Sequence, residues 1–301
     1  MNTAINSVIG NALDLPFELR ANDVVRHIIN IDSRFRELPA STTSDFYYRL
    51  FAPVKNILRI RVTSVEFPNN YLMFTEAREN ISLRIIYDLS AVKTYGVVIP
   101  DGNYSAYEMQ VAIQNALTDL SGLTLTVAFD HISGSFTFTG NQYFAVDTTW
   151  HSLKRPFDYG LGYYLGFSRK CHKAFDVSGS WIVTSNQCAS FSGDNYVFLK
   201  INEFNCVQQQ TADQTFQCLA KVLLREPKNY MAFDDYASQH VKEVVFPQPQ
   251  DLSRFHIQIL DAYGDVMDLC NAQLSFSLEV LEVRNLSLYN AIRDSITLQY
   301  V

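Results

Sequence analysis

Apolar and polar residues alternate along most of this chain, and that period-two pattern predicts strands. Residues 24–31 form a first apolar run that closes on Asp32-Ser33, residues that favour turns. Phe46, Tyr48 and Leu50 then oppose Tyr47, Arg49 and Phe51. Leu58, Ile60 and Val62 share a face, but the next apolar pair, Val65 and Phe67, is out of phase by one residue. One extra residue restores the phase, so a β-bulge is expected near Thr63-Ser64 in a long, bent strand that ends at Pro68-Asn69-Asn70. Ile81, Leu83, Ile85 and Tyr87 alternate again, and residues 95–99 form a short strand before the turn at Pro100-Asp101-Gly102-Asn103.

The period then changes. Ser105-Ala106-Tyr107-Glu108 fits a capping box, and Met109, Ala112, Ile113, Ala116, Leu117 and Leu120 follow a helical repeat that Gly122 stops. A hairpin follows, with Leu123, Leu125, Val127 and Phe129 going out and Phe136 and Phe138 returning. Residues 142–193 have poor periodicity and read as long loops with one helical turn near 159–167. Strands are expected at 196–204, 216–224 and 241–246. A further strand carries Phe255, Ile257 and Ile259, and a last one Leu274, Phe276, Leu278 and Val280. Leu288, Ala291, Ile292 and Ile296 mark a short amphipathic helix near the end.

These elements predict a mainly β fold, a jelly-roll-like antiparallel β-sandwich with a small α+β insert of one capped helix plus a hairpin. The expected organisation is an N-terminal arm (1–23) and a sandwich domain (24–284) built from residues 24–90 and 195–284. The insert falls at about 91–140, long loops at about 141–194, and a short helix and tail at 285–301. Two consecutive β domains are the alternative. In the arm, Leu13, Leu15, Phe17 and Leu19 alternate with Asp14, Pro16, Glu18 and Arg20. An extended segment with one apolar face needs a partner, on its own domain or as a strand added to a neighbour's sheet. Leu13, Leu15 and Phe17 are therefore candidate interface residues.

Composition changes the picture only in part. High Tyr and Phe content suits pleated, half-buried surfaces. A net charge of -7 gives no field that would neutralise phosphates, which argues against nucleic-acid binding, although basic residues cluster between Arg20 and Arg61. The five dispersed cysteines fit ordinary thiols in a reducing compartment. No signal peptide is expected from the first residues, and no run reaches the roughly 20 apolar residues of a membrane span.

Candidate chemistry is sparse. Cys171-His172 has no second ligand pair at metal spacing, and adjacent residues on a strand face opposite ways. Gly160, Gly162 and Gly166 are one residue too long for a dinucleotide fingerprint. Asp234-Asp235 with His240 reads as a solvated loop. No catalytic residue, cofactor or metal is expected, and the chain is read as not being an enzyme. Arg34 and Arg36 flank Phe35 beside Asp32, either as strand arginines at a structural turn or as an Arg-carboxylate contact with a neighbouring subunit. Trp150 and Trp181 lie in the aromatic loop region and complete the candidate interface.

An ordered set of short motifs resembles minor capsid proteins of nucleocytoplasmic large DNA viruses. They are Ile31-Asp32-Ser33-Arg34, a Ser/Thr stretch before Phe46, Asn56, and Ser64-Val65-Glu66-Phe67-Pro68-Asn69. After these come Ile99-Pro100-Asp101-Gly102-Asn103-Tyr104-Ser105, Leu161-Gly162-Tyr163-Tyr164-Leu165-Gly166-Phe167, and the closing unit from Leu252 through Asp261 and Gly264 to Val280. The set spans about residues 28–283. It departs from the family at Cys270-Asn271-Ala272, where a small residue and a polar or positive loop are usual. The resemblance implies a structural protein that cements capsomers of an icosahedral shell, bound to the major capsid protein, other minor capsid proteins or itself. It implies a place in the virion, on the inner side of the shell and near any internal membrane, after synthesis in the host cytoplasm. A glycan- or host-attachment module using the loops around Trp150 and Trp181 is the alternative.

Overall fold

The computed structural model describes residues 23–39, 42–88, 92–117, 122–150, 159–211, 214–226, 230–234 and 243–291. The fold is mainly β, with antiparallel sheets in a sandwich-like, jelly-roll-like arrangement and few helices. The chain divides into two compact units, one of residues 1–71 and 194–301, the other of residues 72–193.

In chain order the strands begin with β1 (Val24–Asp32) and β2 (Asp45–Pro68). The second unit then carries β3 (Ser82–Tyr87), β4 (Lys93–Val98), helix α1 (Ala106–Ala116), β5 (Leu125–Asp130), β6 (Ser135–Gly140) and β7 (Phe144–Asp147). It closes with helix α2 (Leu161–Tyr164), β8 (Cys171–Lys173), β9 (Phe175–Val177) and β10 (Ser180–Thr184). The first unit resumes with β11 (Tyr196–Ile201), β12 (Val207–Gln210), β13 (Thr215–Cys218), β14 (Ala220–Leu223), β15 (Met231–Asp234), β16 (Glu243–Leu260) and β17 (Ser275–Val283).

The first unit is built on a seven-stranded sheet in the order β1-β17-β2-β16-β11-β14, with β15 also paired to β2. The expected bulge is present. Ser277 pairs with Ser64 and Leu278 with Val62, which leaves Thr63 as the extra residue, its hydroxyl donating to the Ser277 carbonyl at 3.2 Å. Val65 and Phe67 thereby rejoin Ile60 and Val62 in the core. A second shift corrects the expectation for Leu58. Between the Leu281–Arg59 and Glu282–Ile57 pairs the phase slips again, and Leu58 turns to the other face, among Val24, Leu281, Val283 and Tyr289. β2 is one strand of 24 residues where the sequence shows two. β17 pairs with it only from Ile57 onward, so Pro53, which lacks an N–H, interrupts no ladder on that side. Asn56 takes a left-handed φ of 51° at the junction, its amide bonded to Asp251 Oδ1 at 2.9 Å.

β16 likewise joins two expected strands, and three register shifts between Val245 and Arg254 absorb Pro247 and Pro249. Both halves of the long strands feed one core. Phe46 and Ile257 from one end meet Ile60, Val62 and Phe246 from the other.

The unit of residues 72–193 has its own core between two four-stranded sheets, β4-β3-β7-β8 and β5-β6-β10-β9. β3, expected in the sandwich of the first unit, pairs with β4 and β7 here. The predicted capping box is formed, with Glu108 N donating to Ser105 Oγ and Ser105 N to the Glu108 carboxylate. The expected long loops hold four strands, β7 to β10, of three to five residues each. They are too short to display alternation, and β7 is buried on both faces.

Candidate interaction surface

Phe46, Tyr48 and Leu50 pack into the core, so Asp45, Tyr47, Arg49 and Phe51 face outward. The pairing with β16 sets Arg254 opposite Arg49, His256 opposite Tyr47, and Gln258 opposite Asp45. Like charges directly opposite on neighbouring strands repel. Glu37, on the segment after β1, sits between them and offsets that repulsion. Arg254 donates to both its oxygens, at 3.1 and 2.7 Å, and Arg49 donates at 3.2 Å. The Glu37 amide also donates to the Tyr47 carbonyl at 2.8 Å, which holds the segment against β2. Arg254, then Arg49, holds the Glu37 carboxyl below its ordinary range.

The same arginine lies over the Tyr47 ring at 3.9 Å, and Tyr47 stacks on His256 with centroids 4.4 Å apart. His256 Nε2 is 2.7 Å from Asp45 Oδ1, and Gln258 donates to Asp45 Oδ2 at 3.1 Å. The strip is thus a planar stack of guanidinium, phenol and imidazole tied at both ends by carboxylates. Exposed Phe35, Leu38 and Phe51 belong to the same segments. Arginine and large aromatics on a locked, exposed face are the residue types that anchor protein contacts. The alternation of residues 45–51 marked the outward set, but the partnership with Arg254 and His256 depends on a register some 210 residues distant that no local pattern reveals.

Of the predicted interface residues, Arg34 and Arg36 belong to the first unit and Trp150 and Trp181 to the second. Ser33 to Phe35 form a 3-10 turn rather than an extended strand, so Arg34 and Arg36 do not project side by side. Asp32 caps that turn through the Arg34 amide, and the Arg34 side chain folds back onto the Asp32 carboxylate at 2.9 and 2.5 Å. That hydrogen bond keeps Asp32 ionised below the usual carboxylate range despite burial. Arg36 donates to the Ser33 carbonyl at 2.7 Å and to Gln273 at 3.2 Å, bracing the turn against the β16–β17 connection. Arg34 thus meets a carboxylate of its own chain, as the structural-turn alternative has it.

In the other unit, Trp150 is 38% exposed and lies 6.0 Å from the Arg84 guanidinium. Arg84 is fixed by Asp147, at 2.9 and 2.5 Å. Burial raises the Asp147 carboxyl, but Thr149 and Arg84 outweigh it and the net shift is downward. Trp181 is half-buried, meeting Tyr143 edge-on at 5.3 Å and packing on the core. Leu13, Leu15 and Phe17 lie outside the described residues, as do Asp235 and His240.

Cys171 and His172 face opposite sides of β8. His172 Nε2 donates to the Ser168 carbonyl at 2.8 Å, and burial lowers its pKa. Gly162 and Gly166 serve packing. A Cβ at Gly166 would fall 2.2 Å from the Gln187 carbonyl, and one at Gly162 would fall 2.4 Å from Thr148. Among the described residues no three His, Cys, Asp or Glu gather as metal ligands, and no helix is long and apolar enough to cross a membrane.

Fold and surface together define a mainly β, sandwich-like protein that presents an arginine–aromatic strip. No family model matches the chain, and no curated protein matches it in sequence. Among solved structures, the crystal structure of selenomethionine-labelled mavirus penton protein is similar over 86% of this chain and 98% of that one, with a TM-score of 0.40 and 11% identity. A likeness of that degree leaves the functional reading to the chain's own residues.

Proposed function

We propose that this chain is a non-catalytic structural protein of a large icosahedral DNA-virus shell, a minor capsid protein that binds and cements neighbouring capsomers. The observation that carries the reading is the strip of Tyr47, Arg49, Arg254 and His256, an exposed face whose side chains are already ordered before any partner arrives. Pre-ordered arginine and aromatic groups lose little conformational freedom on binding. The ordered motifs between residues 28 and 283 support the same reading. Its partners are the major capsid protein, other minor capsid proteins or further copies of itself, and its place is the inner side of the shell.

Quantitative mass spectrometry of purified particles tests this. The chain is expected at a fixed ratio to the major shell protein, and its absence from intact particles would remove the proposal. Protease treatment of whole particles separates an internal cement from an attachment module, since only the latter is cut while the shell is intact.

A further inference from the structure

β5 is an edge strand of the unit of residues 72–193, in the sheet β5-β6-β10-β9. In an antiparallel ladder alternate residues turn both backbone groups to the same neighbour. The Asn141 amide donates to the Thr124 carbonyl at 3.3 Å, so the even residues Thr124, Thr126 and Ala128 face β6. The backbone groups of Leu125, Val127 and Phe129 therefore point off the sheet, where no described strand pairs.

This strand is a hazardous one to leave open. Residues 123–129 read Leu-Thr-Leu-Thr-Val-Ala-Phe, with no charge, proline or glycine, and Thr, Val and Phe favour extended backbone. That composition is the signature of segments that stack against copies of themselves. Sheets commonly blunt an edge with lysine, proline or a bulge. β5 has none of these, and its pairing with β6 runs from Leu125 to Asp130 without a register shift.

What lies along the edge is helix α1. Met109 and Ile113 are buried in the core of the unit and fix the helix there. Gln110 and Gln114 follow them, one helical turn apart. Gln114 accepts from the Val127 amide at 2.9 Å and donates to the Leu125 carbonyl at 3.0 Å, and Gln110 accepts from the Phe129 amide at 3.1 Å. The spacing explains the fit. Four residues of helix rise about 6 Å and two residues of strand about 6.8 Å, so side chains one turn apart meet alternate outward amides of an adjacent strand. A carboxamide carries the same donor and acceptor as a peptide group, and Gln114 uses both.

We infer that Gln110 and Gln114 act as a surrogate strand, closing the β5 edge with side-chain amides and so keeping residues 123–129 from pairing with the same segment of a second copy. The partner excluded is a second copy because an uncharged segment of this kind pairs with itself, identical side chains stacking in register.

Residue-resolved hydrogen–deuterium exchange and sedimentation of the full chain test this. In the unsubstituted protein the Val127 and Phe129 amides are expected to exchange at least about tenfold more slowly than open-chain rates. Open-chain exchange there overturns the inference, and that measurement needs no variant. Gln110→Met/Gln114→Met keeps side-chain length and helix preference but removes the hydrogen bonds. At low concentration it is expected to release Val127 and Phe129 at least about tenfold while Thr126 and Ala128, bonded to β6, keep their protection. Between about 1 and about 100 μM it is expected to form larger species that the unsubstituted protein does not form. Unchanged protection at Val127 and Phe129, or release with no added association, overturns the inference. Thr126 is exposed on β5, and adding Thr126→Lys to the double variant places a charge on the bared edge. That triple variant is expected to return to the sedimentation of the unsubstituted protein. Association that persists in it runs through another surface and overturns the assignment to β5.

Discussion

Replacing Arg254 with alanine separates a binding role for the strip from a structural one. The substitution removes a two-pronged contact to Glu37, at 3.1 and 2.7 Å, and the guanidinium 3.9 Å above Tyr47. An exposed ion pair contributes roughly 0.2–1 kcal/mol and an exposed cation–π contact roughly 0.5–1 kcal/mol. Relief of the repulsion with Arg49 returns part of this, so the net loss is about 1 kcal/mol against a typical stability of about 5–15 kcal/mol. The chain should therefore melt only a few degrees lower. If Arg254 anchors a shell contact, truncation costs at least about 2 kcal/mol of binding, close to a thirtyfold loss.

Circular dichroism melts and the amount of variant retained on particles, by quantitative mass spectrometry, give the two numbers. Arg254→Lys keeps the charge but not the fork or the stack, and is expected to bind nearly as poorly as alanine. The pH dependence follows from Glu37. Its pKa is lowered in the folded chain from an ordinary 4.5, so the stabilisation is present above that value and lost as pH falls through the lowered one. The stability gap between wild type and Arg254→Ala should close in acid. A loss above about 3 kcal/mol at neutral pH would mark Arg254 as structural, on the scale of a buried pair. Unchanged retention on particles would remove it from the interface.

Two further outcomes test the core and the thiols. Val62 is wholly buried beside the bulge, so Val62→Asp places a carboxylate in an apolar core and should abolish the cooperative unfolding transition in urea. Among the thiols, burial pushes Cys218 up to about 12, whereas Cys188 and Cys270 are exposed. Iodoacetamide at pH 8 should label Cys188 and Cys270 first, and peptide mapping that finds Cys218 among the first labelled would refute that order.

Much of the sheet was legible because its faces differ in chemistry. The bulge at Thr63 announced itself as a phase slip, since Val65 and Phe67 had to return to the side of Ile60 and Val62. Ser105 and Glu108 announced the helix start through four adjacent residues. The strands of residues 144–184 left no such trace, because three to five residues carry too few alternations and β7 is buried on both sides. The strip was half legible. Its β2 members follow from alternation, but Arg254 and His256 reach them only through long-range pairing, and Glu37 reaches them through a turn. Arg34 left two readings open in the sequence, and Asp32, two residues earlier, curls the backbone and takes its charge within the chain.

How the chain holds a neighbour depends on which of its surfaces remain open. The strip offers contact through side chains rather than through backbone pairing. Side-chain contact through exposed arginines carries an electrostatic signature that backbone pairing lacks. Raising salt from about 0.1 to 1 M shortens the screening length from about 10 to about 3 Å. Dissociation from particles, followed by sedimentation across that range, should therefore rise steeply for the wild type. Arg254→Ala, already missing one of the two opposed charges, should show a flatter dependence. Parallel salt curves for the two proteins would refute a role for Arg49 and Arg254 in the contact. Retention indifferent to salt in both would point instead to an apolar seat such as Phe35, Leu38 and Phe51, whose attraction salt does not screen.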